Sequence, residues 1–277
     1  MKYIKKTYEY ILKFIKNVSA DNIGMYAAQA SFFIIISAVP FVMLLLALVG
    51  FFVPLGPENV QGFVSSYMPE RIAPLINTVL LEILTTSSDI SIISVTAITT
   101  LWLSSGGFMA LHAGLDRVFE TEKRQNYIYR RIVSAFYTLC FLGMLLFSFF
   151  LFVTGHHIVS IINEHFWILS EISMLIWKAR IIIFILFLSL VFALFYTILP
   201  HKKMNFLKQL PGALFASVGW CVFSYAYSIY IDYFSNYSYV YGSLTAIVFL
   251  MLWLYFCIWI FLCGAELNKM LFKKFAI

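Results

Sequence analysis

Long apolar runs alternate with short polar connectors along the chain. The last run, from Leu244 to Cys263, carries no charge, and Thr245 is its one polar residue. About 20 such residues cross the hydrocarbon core of a bilayer as one helix. Five earlier runs have the same character, so the pattern predicts an all-α polytopic transmembrane bundle. The six predicted spans are about 27–53, 90–111, 132–154, 179–199, 212–231 and 244–266.

Two further segments have the pattern of helices that are apolar on one face. In residues 2–17, isoleucines and a tyrosine recur at steps of three or four, and the lysines lie largely off that face. This predicts a basic amphipathic helix in the plane of the membrane surface. Residues 58–89 combine an apolar face with interrupting polar residues, including Glu70, Arg71 and Glu82. They predict an outer amphipathic helix that lies on the surface or is partly inserted between spans.

Composition supports a membrane protein. The chain has 277 residues, of which 62% are hydrophobic and 12% are charged. A soluble domain carries about 25% charged residues, so lipid must cover much of this surface. The spans are spread evenly, which predicts one integral membrane domain over residues 1–277. The four cysteines all fall in apolar runs and are predicted to be free thiols.

The basic residues predict the orientation. All but three of the 19 lysines and arginines lie in four segments: the N-terminal arm, residues 112–131, residues 200–210 and the tail after Glu266. Six spans place all four segments on one side. Because basic loops stay in the cytoplasm, both termini are predicted to be cytoplasmic. The net charge of +6 then indicates anionic lipid headgroups at the cytoplasmic face as partners, and no nucleic acid.

Motifs for catalysis or cofactor binding are absent from the sequence. It contains no phosphate-binding loop, no HExxH and no GxSxG. The predicted outer connector carries histidines at 156, 157 and 165 beside Glu164, but this spacing favours a polar surface loop over a zinc site. Asp116, Glu120 and Glu122 lie among basic residues, and no pattern predicts a fold that would group them. We therefore expect no catalytic residue, cofactor or metal.

Ionisable groups near membrane depth are the remaining candidates, since such groups often mark pathways. Arg180 begins the fourth span, where it either reaches the headgroups or pairs with Asp232, which is predicted at the same depth. Glu266 ends the sixth span, where it either lines a pathway or caps the helix beside Lys269. Pro40 lies within the first span and is expected to kink it.

Four segments together resemble the YihY/virulence factor BrkB family of bacterial membrane proteins, formerly labelled ribonuclease BN. They are AAQASFFIIISAVPF (27–41), LWLSSGGFMAL (101–111) with Arg130 and Arg131 downstream, LPGALFASVGW (210–220) and YGSLTAIVFLMLWLYFCIWIFLCGAELN (241–268). The last segment supplies most of the site residues that the resemblance implies: Tyr241, Gly242, Trp253, Gly264, Glu266 and Asn268. One departure is the pair Phe32 and Phe33, where the family pattern leads us to expect a tyrosine.

The resemblance implies a six-span protein of the bacterial plasma (inner) membrane. Links to serum resistance and to lipid or lipopolysaccharide export have been suggested for members of the family. We therefore expect movement of a lipid or other amphiphile across or within the membrane. The alternative is a structural or scaffolding protein of the cell envelope, as a homo-oligomer or with an envelope partner. A membrane enzyme is the least favoured, because no nucleophile and base are grouped.

Overall fold

A computed structural model describes residues 2–52, 90–121, 126–144, 169–202, 204–233 and 243–275. These residues form seven helices, and they contain no strand. The helices are α1 (Lys2–Ala20), α2 (Ile23–Phe52), α3 (Ile90–Phe119), α4 (127–144), α5 (Leu169–Ile198), α6 (Phe206–Tyr233) and α7 (Ser243–Phe275). The all-α prediction is confirmed for the described residues. The predicted outer helix at 58–89 lies outside them.

Three of the predicted spans are helices of sufficient length and apolarity to cross a membrane. Within the described residues these stretches are Ile181–Ile198, Phe206–Ile231 and Ile247–Leu271. Large apolar side chains on them are exposed, including Ile182 and Phe187 on α5, as expected for a surface that contacts lipid. A shorter apolar helical stretch, Ile23–Ala38, lies in α2. The count of six spans stays a prediction.

The chain divides into two compact units. The first comprises Met1–Phe32, Gly107–Arg130 and His157–Ile277, and the second comprises Phe33–Gly106 and Arg131–His156. In the first unit α7 packs against α6 and α1, and α6 also packs against α5. In the second unit the ring of Phe33 covers Gly106 so closely that a Cβ there would lie 2.5 Å from Phe33 Cδ1.

The closest helix contact described in the first unit joins α6 and α7 at two glycines. A Cβ at Gly264 would lie 2.5 Å from the carbonyl oxygen of Gly212 and 2.8 Å from Ala216 Cβ. Small residues permit such backbone approach within a membrane, where close packing stabilises helix association. Gly212 and Ala216, four residues apart, thus form the small-residue face of α6 at this contact.

The start of α6 differs from the prediction. The apolar run predicted a span from Gly212 after a loop ending at Pro211, but α6 begins at Phe206 and contains Pro211. Asn205 caps it, since its Oδ1 accepts a hydrogen bond from Leu207 N–H at 3.1 Å. The next N–H after the proline, that of Gly212, donates to Asn268 Oδ1 at 2.7 Å. A good cap and this tertiary bond offset the backbone hydrogen bond that proline removes.

We expect Gly264→Ala to lower the thermal stability of the detergent-purified protein, because its methyl group would meet Gly212 O and Ala216 Cβ. Overpacking of this kind costs about 1–3 kcal/mol. Gly143→Ala is the matched control, because a Cβ at this helical glycine meets nothing within 4 Å. Alanine should leave that site unchanged or stabilise it through helix propensity. Equal melting temperatures for the two variants would contradict the proposed contact.

Candidate functional site

Three of the predicted site residues lie at the contact between α6 and α7. Trp253 donates from Nε1 to Ser224 Oγ at 3.2 Å. Gly264 lies against Gly212, as described above. Asn268 is fully buried, and its Nδ2 donates to Gln209 O at 3.0 Å and Gln209 Oε1 at 2.8 Å. These contacts hold the two helices in register.

Glu266 lies at the contact between α7 and α1, and its side chain is fully buried. Its Oε1 accepts a hydrogen bond from Asn17 Nδ2 at 2.8 Å. Its Oε2 lies 3.4 Å from Lys269 Nζ, one helical turn away. Lys269 Nζ in turn donates to Asp21 Oδ2, just after α1, at 2.7 Å. We name Asn17, Asp21, Glu266 and Lys269 the α1–α7 ion cluster.

The end of α3 joins this cluster. Arg117 Nε lies 3.6 Å from Asp21 Oδ1, and Glu120 Oε1 lies 3.4 Å from Lys269 Nζ. Charges that leave water need close partners, because desolvation of an isolated charge is costly. The cluster thus anchors the amphipathic α1 to α7 and to the end of α3. Glu266 lies beside Lys269 in this cluster, and its role in a pathway stays a prediction.

A second group of ionisable side chains lies near the end of α3. His112 and Asp116 are one turn apart on α3 and buried, and His201 lies in the connector between α5 and α6. Asp116 Oδ2 lies 3.3 Å from His112 Nε2 and within hydrogen-bond reach of His201 Nδ1. The two imidazole rings stack with centroids 4.5 Å apart. We name these three residues the His–Asp–His cluster.

The backbone around Asp116 is fixed by the way α3 ends. Glu120 adopts the left-handed conformation, with φ of 56°. Thr121 N–H then donates to Asp116 O at 2.9 Å, and Glu120 N–H to Arg117 O at 3.3 Å. These two bonds form a Schellman motif. Thr121 Oγ1 also donates to Asp116 Oδ1 at 2.7 Å, and His201 N–H donates to the same oxygen at 2.9 Å.

The surroundings of His112 favour its neutral form. Burial lowers the pKa of His112, which follows the predicted second span. Asp116 opposes this shift, while His201 and Arg130 lower the pKa further because a second positive charge nearby is unfavourable. His112 Nδ1 is buried and has no hydrogen-bond partner among the described residues. A neutral imidazole is the form that can act as a metal ligand.

A third polar group lies in the second unit, where α4 begins beside α3. Arg131 is only 7% exposed. Its guanidinium donates from Nη2 to Trp102 O and lies 4.5 Å from the Trp102 ring centroid. Within the described residues no carboxylate pairs with Arg131, and its Nε has no hydrogen-bond partner. A buried cation of this kind is costly without a counter-charge.

Buried hydroxyls also lie on α3 and α4, and those of α3 are two residues before and after Trp102, so they point away from its side chain. Thr100 and Ser104 are one turn apart on α3, and Ser134 follows Arg131 by one turn on α4. All three are buried, and their hydroxyl groups have no hydrogen-bond partner among the described side chains and backbone. We name Arg131 and Ser134, one turn apart on α4, the Arg131 face.

The other predicted site residues are only partly within the described structure. Pro40, Arg180 and Asp232 lie in α2, α5 and α6, and α2 continues through Pro40 as one helix. Their side chains are outside the description, so the predicted pairing of Arg180 with Asp232 stays a prediction. Tyr241, Gly242 and the loop histidines at 156, 157 and 165 lie outside the described residues.

Sequence reasoning missed the His–Asp–His cluster and the Arg131 face. His112 and His201 are far apart in the chain, and the segment from 112 to 131 reads as a basic connector. The spacing of His112 and Asp116, four residues apart, was the available signal, because it puts both on one face of a helix. Arg131 entered only the orientation count and the family resemblance, since nothing in the pattern marks it as buried.

We expect Lys269→Met to destabilise the protein strongly, because it leaves Glu266 and Asp21 without their shared cation. Removing one partner from a buried ion pair costs roughly 3–5 kcal/mol. Lys16→Met, at an exposed lysine of α1, is the control, with a change expected within about 0.5 kcal/mol. Adding Glu266→Gln to Lys269→Met should recover part of the loss. Thermal unfolding in detergent measures all three, and equal stability of the two single variants would refute the cluster.

Comparison with known proteins places the chain in a family. The family model described as virulence factor BrkB matches residues 14–276. A ribonuclease-like protein, YfkH, of Bacillus subtilis is 30% identical over 249 residues, which cover 90% of each chain. A UPF0761 membrane protein of Vibrio parahaemolyticus is 25% identical over 270 residues, covering 93% of this chain and 80% of the relative. No solved structure matches. The chain is a membrane protein that belongs to the virulence factor BrkB family.

Proposed function

We propose that this protein moves a lipid or other amphiphile with an anionic headgroup across or within the membrane. The observation that carries the proposal is the Arg131 face. It combines the buried Arg131, which has no carboxylate partner among the described residues, with the buried hydroxyl of Ser134, which makes no hydrogen bond there. Polar and charged groups inside membrane helices mark pathways for polar cargo.

The chemistry of the face suits an anionic headgroup. A phosphate accepts hydrogen bonds from an arginine at two oxygens, and charge-assisted bonds of this kind are stronger than neutral ones. The Nε–H of Arg131 is a further donor for such a group, and the hydroxyl of Ser134 lies one turn later on the same face of α4. The surrounding surface is apolar, with Ile98, Trp102, Ile132 and Phe136 exposed on α3 and α4. Acyl chains would therefore remain in lipid while the headgroup is bound.

We do not extend the ribonuclease wording in the name of the Bacillus relative to this chain, and we propose that it is not an enzyme. The one described cluster with acid–base character is the His–Asp–His cluster, and both His112 and Asp116 are only 3% exposed. A general acid and base must come within hydrogen-bond reach of the reacting atoms. Asp116 instead holds hydrogen bonds to Thr121 and His201, which supports a structural or ligand-binding role of the cluster.

We further propose that the protein lies in the plasma membrane of a bacterium with both termini in the cytoplasm. The support is the distribution of basic residues and the family membership. The α1–α7 ion cluster is consistent with this, since it brings the N-terminal helix to the same end of the first unit as the end of α7. The anionic leaflet would then lie beside the lysines of α1.

A leaflet-exchange assay tests the function. Purified protein in liposomes should accelerate the exchange of fluorescent phosphatidylglycerol between leaflets. Arg131→Met should lower the protein-dependent exchange rate at least about tenfold. This corresponds to the loss of roughly 1.4 kcal/mol of headgroup binding. Ser134→Ala, which removes only a hydroxyl, should give a smaller reduction.

Arg117→Met is the matched control for this assay, because Arg117 is an arginine of α3 and its side chain is 44% exposed. It should exchange lipid at the wild-type rate. Melting temperatures and elution volumes in detergent would show that all variants are folded. If the wild-type protein does not accelerate the exchange of any lipid between leaflets, anionic or neutral, the proposal is wrong. A scaffolding role then becomes the better account.

Accessibility of single cysteines tests the orientation. In a variant whose four native cysteines are replaced, new cysteines at the exposed positions Glu9 and Asn126 should react with a membrane-impermeant maleimide only after the cells are opened. Labelling of either position in intact spheroplasts would show that the orientation is inverted or that the number of spans differs.

A further inference from the structure

We propose that His112, Asp116 and His201 form a binding site for a divalent transition-metal ion, for which Zn²⁺ is the best candidate. One donor atom from each residue lies within 4.8 Å of the other two. Two imidazoles and one carboxylate are a ligand set found at zinc sites with three protein ligands, where water or another ligand takes the fourth position. The proposal is independent of the function proposed above, because the Arg131 face lies in the other unit.

The separation of the donors favours a bound ion. His112 Nε2 and Asp116 Oδ2 are 3.3 Å apart, which is long for a hydrogen bond to a carboxylate. Two ligands that each bond zinc at 2.0–2.1 Å in tetrahedral geometry lie about 3.3–3.5 Å from each other. The first two ligands are therefore already placed for one ion. To complete the set, His201 Nδ1 would exchange its hydrogen bond with Asp116 Oδ2 for a bond to the metal.

The carboxylate of Asp116 is oriented by contacts outside the three donor atoms. Asp116 Oδ1 accepts from Thr121 Oγ1 and His201 N–H, so the carboxylate is oriented by one oxygen. Oδ2 is left facing both imidazole rings. Metal ligands are usually oriented in this way by a surrounding layer of hydrogen bonds. His112 and Asp116 project from a helix whose C-terminus is fixed by a Schellman motif.

The donor types narrow the class of metal. Imidazole nitrogen suits zinc, copper, iron and nickel, whereas magnesium and calcium prefer a shell of oxygen ligands. With two nitrogens and one carboxylate oxygen, the cluster should therefore discriminate strongly against magnesium. The single carboxylate also gives the site a negative charge that a divalent cation would neutralise. A bound ion would cross-link the end of α3 to the connector between α5 and α6 within the first unit.

Metal analysis of the full-length protein tests the proposal. The protein is purified in detergent with an affinity tag that contains no histidine, stripped with a chelator and titrated with Zn²⁺ or Mg²⁺ alone. We expect about one zinc ion per chain, and no competition from magnesium in large excess. Zinc should also raise the melting temperature of the stripped protein, because a ligand that binds only the folded state stabilises it.

Three variants distinguish this site from incidental zinc binding. Asp116→Asn keeps a carbonyl oxygen for Thr121 and His201 N–H but loses the charge, and His112→Gln keeps a polar side chain of similar size. Each should weaken zinc binding at least about tenfold and abolish the thermal shift. His165→Ala, which removes a histidine of another segment, should bind as the wild type does. The proposal is overturned if the wild type holds no zinc, or if Asp116→Asn binds it as tightly as the wild type.

Discussion

The close approach of α6 and α7 at Gly212 and Gly264 is the constraint on which the first unit depends. In lipid, helices gain little from burying apolar surface against each other, so close packing and hydrogen bonds between helices must hold them together. The two glycines permit backbone contact, and Asn268 adds hydrogen bonds to Gln209 and to the Gly212 N–H. Tyr196 of α5 donates from its hydroxyl to Phe261 O of α7 and extends the same contact to a third helix.

Because α7 is fixed against α6, its last turns can present charged groups to other elements. Glu266 and Lys269 follow Gly264 within two turns, and they reach Asn17 and Asp21 at the end of α1. Asp21 is also close to Arg117 of α3. Arg117 directly follows Asp116 of the His–Asp–His cluster. Packing, anchoring of α1 and the proposed metal site therefore share one end of the first unit. The Arg131 face is a separate feature of the second unit.

Much of the fold follows from the apolar pattern, because a helix in a membrane must be both long and apolar. Helix type was predictable for α2, α3 and α5–α7, although α3 extends eight residues beyond the predicted span and α5 begins ten residues before it. The ends of the helices were harder to predict. For example, α6 begins six residues before the predicted span, because the polar turn that Asn205 caps lacks the apolar pattern of a span. The extension of α7 to Phe275 continues through Glu266 and Lys269, whose charges would end a span in any hydropathy pattern but are paired here.

The candidate sites were harder to predict than the helices, for a physical reason. The role of Glu266 depends on Asn17, which is 249 positions away, and that of Asp116 on His201, which is 85 away. A local pattern contains no information on such pairs. Asn268, Gly264 and Trp253 were identified only through the family resemblance, which marked the segment as diagnostic and did not say why. The structure supplies the reason for these three: each contacts α6.

The measurement that tests this account most directly is a double-mutant cycle between Gln209 and Asn268. Gln209→Ala, Asn268→Ala and the double variant are unfolded in the same detergent, and their free energies of unfolding are compared. If α7 is held to α6 by the buried bonds between these side chains, the two losses should be non-additive by about 0.5–3 kcal/mol. Losses that add within about 0.3 kcal/mol would contradict the central role of this contact.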